Sequence, residues 1–580
     1  MPEYLAPAVF VEETSFRAKS IEGVGTSTAA FVGMTARGPT ASEPNDPTPP
    51  LLTSFADYER YYGGTDDLAI GGAAAPNYLA HAARAFFNNG GGRLYVARVL
   101  GTGAGGGTTG HLTPGAVVTA DERVAFVSRK PGGVKIPNTN ANFRVVIVEQ
   151  ELATTKRLAL AQPAGTTIRI GTEYYVIGID PVVTSAADLS ALTGLADDGA
   201  CFIVSYAVEV TDPTGVVFES AGLGLHARHP RFIGTLLGAT PPNPADAAAN
   251  PVMLEIGSGV SPFELRAALA DGADNSPVAV AGGTDGTGTP STTEFQDALN
   301  RLLALEDISI VAAPGSSSYA ASDPEAINQM LIGHAEARRA YRIAVLDAPP
   351  NLDIAGVRAV KSKIDSKYAA LYYPWIRVTN PGAATNPLAP REIDLPPSGA
   401  VCGIYARNDV QRGVWKAPAN ETVTGAIGLQ RDVHFGEQEV LNPIGVNCIR
   451  SLPNRGIRVW GARTLSSDPE WKYVNIRRYF LYLESSIDRG TQWAVFEPNG
   501  EALWANVRNT VSDFLYNEWI SGALLGTKPD EAFFVHCDRS TMTQNDLDNG
   551  RLICLVGVAA IKPAEFVIFR IGQKTADARG

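Results

Sequence analysis

Residues 308–347 read ISIVAAPGSSSYAASDPEAINQMLIGHAEARRAYRIAVLD, and the alternation of periods within this stretch decides the fold class. Ile308 to Ala312 is a short apolar run closed by Pro314 and Gly315, the mark of a strand buried on both faces. Glu325 to Ala340 has helical spacing, and Ile343 to Asp347 is again a short apolar run. The pattern then repeats, with a helix expected over Ile354 to Ser366 and a strand over Ala369 to Ile376. Strand, helix, strand in succession predicts an α/β layered core with parallel pairing, because parallel neighbours need a crossover element between them.

Toward the N-terminus, Ala29 to Met34 and Leu94 to Leu100 read as core strands. Between them a helix is expected from Asn77 to Asn88, stopped by Gly90 to Gly92. Residues 1–25 form an extended arm in which Val9 and Val11 alternate with Phe10 and Glu12. Between Gly101 and about Asp274 the texture changes to Gly/Thr-rich turns and short β-branched runs such as Arg144 to Val148 and Tyr174 to Ile179. This reads as a β-rich inserted outer domain, with hinges at Gly101 to Gly107 and Ala281 to Gly288. Toward the C-terminus, Gly456 to Ala462 is a strand. A helix beginning near Asn475 aligns Ile476, Phe480, Leu483 and Ile487, and a second between Asn499 and Gly522 aligns Leu503, Val507, Val511, Phe514, Leu515 and Trp519. The chain ends in strand patterns at Ala532 to Cys537, Leu552 to Val558 and Glu565 to Ile571.

The fold class is therefore α/β and α+β multidomain. The expected partition is 1–25 arm, 26–100 core, 101–275 inserted domain, 276–400 core again, 401–562 C-terminal α+β domain and 563–580 terminal arm. With 580 residues and 45% hydrophobic content the chain can bury several cores. A formal net charge of -12 argues against nucleic acid, whose phosphates demand clustered Lys and Arg. The first residues lack the basic and apolar regions of a signal peptide, and no uninterrupted apolar run is long enough to span a bilayer, so membrane insertion is not expected. Five cysteines, Cys201, Cys402, Cys448, Cys537 and Cys554, have no paired spacing and read as free thiols in a reducing compartment.

An enzyme reading starts from the strand ends: Ser316 to Ser318 follow one strand and Asp347 ends the next, where open parallel sheets bind ligands. The competing reading is a pair of turns made of the residues turns require, and no histidine stands nearby as a base. Gly282-Gly-Thr-Asp-Gly-Thr-Gly288 lacks the Lys-Ser/Thr of a phosphate loop, and Asp285 would repel phosphate. His226 with His229, and His536-Cys537-Asp538, are too few ligands for a structural zinc site. No cofactor or metal is expected. Trp460, Trp471, Trp493, Trp504 and Trp519 read as core rather than a stacking platform. Lys472, Arg477, Arg478 and Arg508 place cations on amphipathic helices, either as a solvated face or as a charged contact to another subunit.

Several stretches together resemble the contractile tail sheath proteins of phages and related extracellular injection systems. Near the start these are Ala8-Val-Phe-Val-Glu-Glu13, Ala30-Phe-Val-Gly-Met-Thr-Ala-Arg-Gly-Pro39 and Phe86-Phe-Asn-Asn-Gly-Gly-Gly-Arg-Leu-Tyr-Val-Ala-Arg98. Gly282-Gly-Thr-Asp-Gly286, Tyr372-Tyr-Pro-Trp375 and Arg412-Gly-Val-Trp-Lys-Ala-Pro-Ala419 follow. Most specific is the run of Leu441-Asn-Pro-Ile-Gly-Val-Asn-Cys-Ile-Arg450, Val459-Trp-Gly-Ala-Arg-Thr464 and Tyr473-Val-Asn-Ile-Arg-Arg478. It continues through Gly490-Thr-Gln-Trp-Ala-Val-Phe-Glu-Pro-Asn499, Phe533-Phe-Val-His-Cys-Asp538 and Lys562-Pro-Ala-Glu-Phe566. Residues 101–275 carry no resemblance, and Ala8-Val-Phe departs from the more usual Gly-Val-Tyr.

The resemblance implies a structural, non-enzymatic subunit that polymerises helically, as stacked hexameric rings around an inner tube protein, with baseplate and terminal cap proteins at the ends. It implies assembly in the bacterial cytoplasm and contraction that drives the tube through a target envelope, powered by subunit repacking. It implies that subunits are joined by strand exchange through Val9, Phe10, Val11 and Glu12 at one end and Phe566, Val567, Ile568, Phe569 and Ile571 at the other. The rival readings are an α/β hydrolase or transferase using Ser316 and Asp347, and a carbohydrate-binding role for the inserted domain.

Overall fold

The structure, a computed structural model, describes residues 20–40, 49–70, 73–105, 108–111, 124–129, 135–136, 139–178, 183–184, 190–270, 277–286, 289–318, 323–384 and 389–570. It divides into two units: residues 26–412 with 417–474, and residues 1–25 with 413–416 and 475–580.

The larger unit is built on an eight-stranded sheet. Six strands run parallel in the order Arg93–Arg98, Thr28–Gly33, Ile310–Ala312, Ile343–Asp347, Ala369–Tyr373 and Val446–Leu452. Gly456–Val459 and Glu421–Thr422 close one edge in antiparallel fashion. The expected strand-helix-strand succession is thus present, with the helices Pro324–Glu336 and Ile354–Ser362 each ending earlier than the sequence pattern alone predicts. Both faces of the sheet are covered, so its central strands are largely apolar: Ile310, Val311, Ile343, Ala344, Ala369 and Ala370 are fully buried.

Val446–Leu452 lies beside Ala369–Tyr373 in this sheet, so residues 417–474 belong with the α/β unit and not, as the sequence partition had it, with a C-terminal domain beginning at 401. Parallel pairing between segments so far apart in sequence leaves no local signal. The strand Val278–Ala281 likewise pairs with the inserted sheet, which carries the insertion past residue 275. Residues 108–281 are rich in strands. Their spine is the antiparallel pair Ala141–Thr155 and Ala200–Asp212, within a seven-stranded sheet accompanied by a three-stranded one.

Where the chain enters and leaves the insertion, the two passages are stitched together. The Gly101 N–H donates to the Asp285 carbonyl at 2.8 Å, and Gly105 and Thr284 exchange two backbone hydrogen bonds of 2.9 Å. The Arg98 guanidinium, 1% exposed, meets the Asp285 carboxylate at 2.6 Å. The glycine-rich loop is therefore a clasp whose acid is already paired. A second tie joins Arg37 to Asp212 as a buried ion pair.

Two packing details set the tolerance of this unit. The helix Ser398–Arg412 crosses the helix Tyr78–Asn88 at backbone contact: a Cβ on Gly399 would lie 2.6 Å from the Ala82 Cα, and one on Gly403 would lie 2.4 Å from the Phe86 carbonyl oxygen. Separately, buried Arg342 donates to the carbonyls of Leu302 at 2.8 Å and Ile308 at 3.3 Å, and contacts the His334 Nε2. A cation against the ring and loss of hydration hold His334 neutral, its pKa pushed down to about 3, burial being the larger cause.

Two outcomes follow. Gly403→Ala should cost about 1–3 kcal/mol because the methyl meets backbone, whereas Gly333→Ala, with open space around its Cβ inside Pro324–Glu336, should be neutral or stabilising; urea unfolding of the two variants checks this. His334 binds a proton in the unfolded chain near its ordinary pKa of 6.5 but in the folded chain only near 3, so its contribution is present above about 6.5 and is lost as pH falls toward 3. The wild-type-minus-His334→Gln stability difference should fall through that window with a slope approaching about 1.4 kcal/mol per pH unit. A flat difference would contradict the assignment.

Candidate functional site

The crevice beyond the strand ends, where an α/β enzyme would hold its ligand, is filled by the protein itself. The Asp347 carboxylate accepts the Ser398 backbone N–H at 2.8 Å and the Ser398 hydroxyl at 2.5 Å, capping the first turn of Ser398–Arg412. Burial pushes its pKa up to about 7 against the opposing pull of those two donors. Trp375, 2% exposed, donates from Nε1 to the Ala348 carbonyl at 2.7 Å and receives the edge of Tyr78 at 5.4 Å. Tyr78 in turn lies on Gly315, where φ is +80° and a Cβ would be 2.4 Å from the Tyr78 Cβ. Ser316 to Ser318 form one short 3-10 turn in this packing. Asp347 is thus committed to a helix terminus, and the hydrolase or transferase reading loses its acid.

The other motifs resolve similarly. His226 and His229 each accept a backbone N–H two residues ahead at Nδ1, 3.1 Å in both cases, so they shape a turn. Asp538 accepts from the Ser540 N–H and hydroxyl. Among the described residues no group of three or more His, Cys, Asp or Glu is disposed to hold a metal, and no helix is long and apolar enough to cross a membrane. Trp504 and Trp519 anchor the second C-terminal helix by donating to the Asn499 side chain at 2.8 Å and the Gly526 carbonyl at 2.9 Å.

The smaller unit carries the features that remain unsatisfied within one chain. Its core forms where the helix Glu501–Ile520 packs Leu503, Val507, Val511, Phe514 and Leu515 against Tyr479 and Leu483 of the helix Val474–Gly490. Arg477 and Arg478 are 2% and 3% exposed, which corrects their reading as a solvated or partner-facing charge pair. Helix periodicity puts them beside buried Ile476 and Tyr479, and Arg477 reaches out to pair with Glu484 at 2.8 Å. Lys472 and Arg508 are half-buried, Lys472 lying over the Tyr473 ring at 5.1 Å.

Sequence reading missed one element here, the root of the N-terminal arm. Residues 20–25 lie along Val474–Gly490: Ile21 seats where a Cβ on Gly490 would be 2.6 Å away, Gly23 fits under the Tyr482 hydroxyl, and the Val24 N–H donates to Ser486 at 3.1 Å. Tyr482 and Tyr479 donate to Glu518 at 2.9 and 3.2 Å, and burial raises the Glu518 carboxyl above its ordinary range. The only sequence signal was a pair of glycines, Gly23 and Gly490, at the points of closest approach.

At the other end, Phe533–His536 and Leu555–Val558 form a two-stranded antiparallel hairpin, and Phe534 and Leu555 are about half exposed at 51% and 52%. Among the described residues only an isolated bridge, Leu524 to Ala560, adds to it. Among the described residues beyond Ala560, 561–570, none lies in a paired strand, and Phe566, Val567, Ile568 and Phe569 are 70%, 69%, 79% and 83% exposed. Val9, Phe10, Val11, Glu12 and Ile571 lie outside the described residues.

Asp347→Ala should leave the Ser398 N–H without an acceptor and cost about 1–3 kcal/mol, seen as a lower urea midpoint. Loss of a hydrolytic or transfer activity, with stability intact, would reinstate the enzyme reading.

Two family models match adjacent segments: the phage tail sheath protein central domain over residues 287–465 and the phage tail sheath C-terminal domain over residues 466–574. A putative prophage major tail sheath protein of Pseudomonas aeruginosa (strain UCBPP-PA14) is 29% identical over 268 residues, covering 45% of this chain and 64% of that relative. The chain thus spans somewhat less than two thirds of that curated relative's length. The helical sheath of the anti-feeding prophage, solved in a contracted state, shares the fold with a TM-score of 0.52 and 21% identity over 98% of this chain and 99% of that one. The PVC sheath complex of an extracellular contractile injection system, also contracted, gives 0.51 and 21% over 99% of each. The sheet strands from Ile310–Ala312 through Gly456–Val459 fall within the first matched domain and the C-terminal helices and hairpin within the second, and the chain belongs to the phage tail sheath protein family.

Proposed function

We propose that this chain is the structural subunit of a contractile sheath, joined to its neighbours by strands that complete the Phe533–His536 and Leu555–Val558 hairpin. The observation that carries the reading is the run Phe566 to Phe569. Four consecutive large apolar side chains stand at 69–83% exposure. Covering each contributes about 1.5–3 kcal/mol, and none of the described residues covers them. A two-stranded sheet is marginal by itself and offers free N–H and C=O groups along its edges. Strand addition meets both needs at once, with backbone hydrogen bonds at the edge and alternate side chains docked on the two faces.

Polymerisation by strand exchange also explains the partners. A sheath of this kind is a helical homopolymer of stacked hexameric rings, surrounding an inner tube protein and ended by baseplate and cap proteins. Contraction swings the α/β unit while the arms keep the mesh connected, and the energy comes from repacking between subunits. The filled strand-end crevice supports a non-enzymatic role.

Deleting residues 1–15, or replacing Phe566 and Ile568 together by Ser, should leave a folded chain by circular dichroism that no longer forms long striated cylinders in electron micrographs. Cylinders of normal length from either variant would remove strand exchange as the linkage.

A further inference from the structure

The hairpin of the smaller unit places two cysteines opposite one another. Phe533 faces Val558 and His536 faces Leu555, so continuing the register by one residue sets Cys537 against Cys554. The Ala559 N–H donates to the Ala532 carbonyl at 2.8 Å, which makes that pair hydrogen-bonded; alternation along an antiparallel ladder then makes Cys537 and Cys554 a non-hydrogen-bonded pair. Such pairs have Cα atoms about 4.5 Å apart, inside the range a disulfide spans. The two thiols lie within hydrogen-bond reach of each other, Cys537 wholly buried and Cys554 half-buried.

We propose that Cys537 and Cys554 are a latent intrachain disulfide site, open as a dithiol in the reducing cell and closed by a peroxide once the protein meets oxidising surroundings. The half-buried Cys554 thiol first loses its proton to solvent; the thiolate attacks hydrogen peroxide, forming an S–O bond and breaking the O–O bond, its sulfur becomes a sulfenic acid, and the departing hydroxide takes up that proton as water. The Cys537 sulfur then attacks that sulfur. The S–S bond forms, the S–O bond breaks, and the departing hydroxide takes the Cys537 proton, giving a second water. Two thiols and one peroxide are consumed, and the protein loses two hydrogen atoms.

Burial favours the neutral thiols, with Cys554 pushed up to about 12, so thiolate is scarce at neutral pH and closure is slow. Slow closure leaves the hairpin unlinked while chains fold and assemble. Once formed, the bond clamps the two strands where their register ends and ties the loop between them.

The test treats the full-length chain with hydrogen peroxide, followed by denaturation, alkylation and mass analysis without reductant. The expected result is an intrachain Cys537–Cys554 crosslink that forms about tenfold faster per pH unit between 7 and 9, as thiolate grows, and raises the thermal unfolding midpoint. Cys537→Ser and Cys554→Ser should each abolish the crosslink and the midpoint shift while remaining folded. A sulfinic acid on Cys554 with Cys537 still alkylatable, or a crosslink only between copies, would overturn the proposal. Cylinder formation is scored in parallel, since loss of the crosslink with assembly intact bears on this site alone.

Discussion

A strand whose edge is open and an apolar segment with nowhere to fold back are two halves of one constraint, and the smaller unit has both. Among the described residues its hairpin has two strands, and Phe566 to Phe569 stand in solvent. Hydrophobic stabilisation is proportional to the area removed from water, so such a segment is a standing cost while it stays exposed. The rest of the unit holds these features in place: the core around Val507, Val511 and Leu515 supports the hairpin, and Ile21, Gly23 and Val24 root the N-terminal arm on the helix Val474–Gly490.

The larger unit is organised in the opposite sense, toward self-sufficiency. Its parallel sheet is buried on both faces, its helices Ser398–Arg412 and Tyr78–Asn88 touch through Gly399 and Gly403, and the Arg98–Asp285 clasp ties the insertion to it. Even the strand-end crevice is occupied, by Trp375, Tyr78 and the Ser398 terminus over Asp347.

Much of the core was legible in sequence, because Ile308 to Ala312 and Ile343 to Asp347 are short apolar runs between helical periods and both became central strands. The helix Glu501–Ile520 was legible for the same reason, its apolar stripe meeting one core. Sheet membership was not. Val446–Leu452 joins residues more than seventy positions earlier through backbone bonds that leave no side-chain signature, which is why the partition at 401 moved. Arg477 and Arg478 read as surface because charge on a helix usually is, yet their stripe faces inward and Glu484 supplies the counter-charge. The strand pattern at Glu565 to Ile571 was visible as alternation, but alternation reports which side chains seek cover and not which chain provides it.

The most direct measurement is a cryo-electron reconstruction of the assembled polymer at a resolution that separates strands. This account predicts that the Phe533–His536 and Leu555–Val558 hairpin is extended by strands from other copies, one of them containing Phe566 to Phe569 and one containing Val9 to Glu12. A hairpin that remains two-stranded in the polymer, with Phe566 to Phe569 folded onto their own chain, would contradict it.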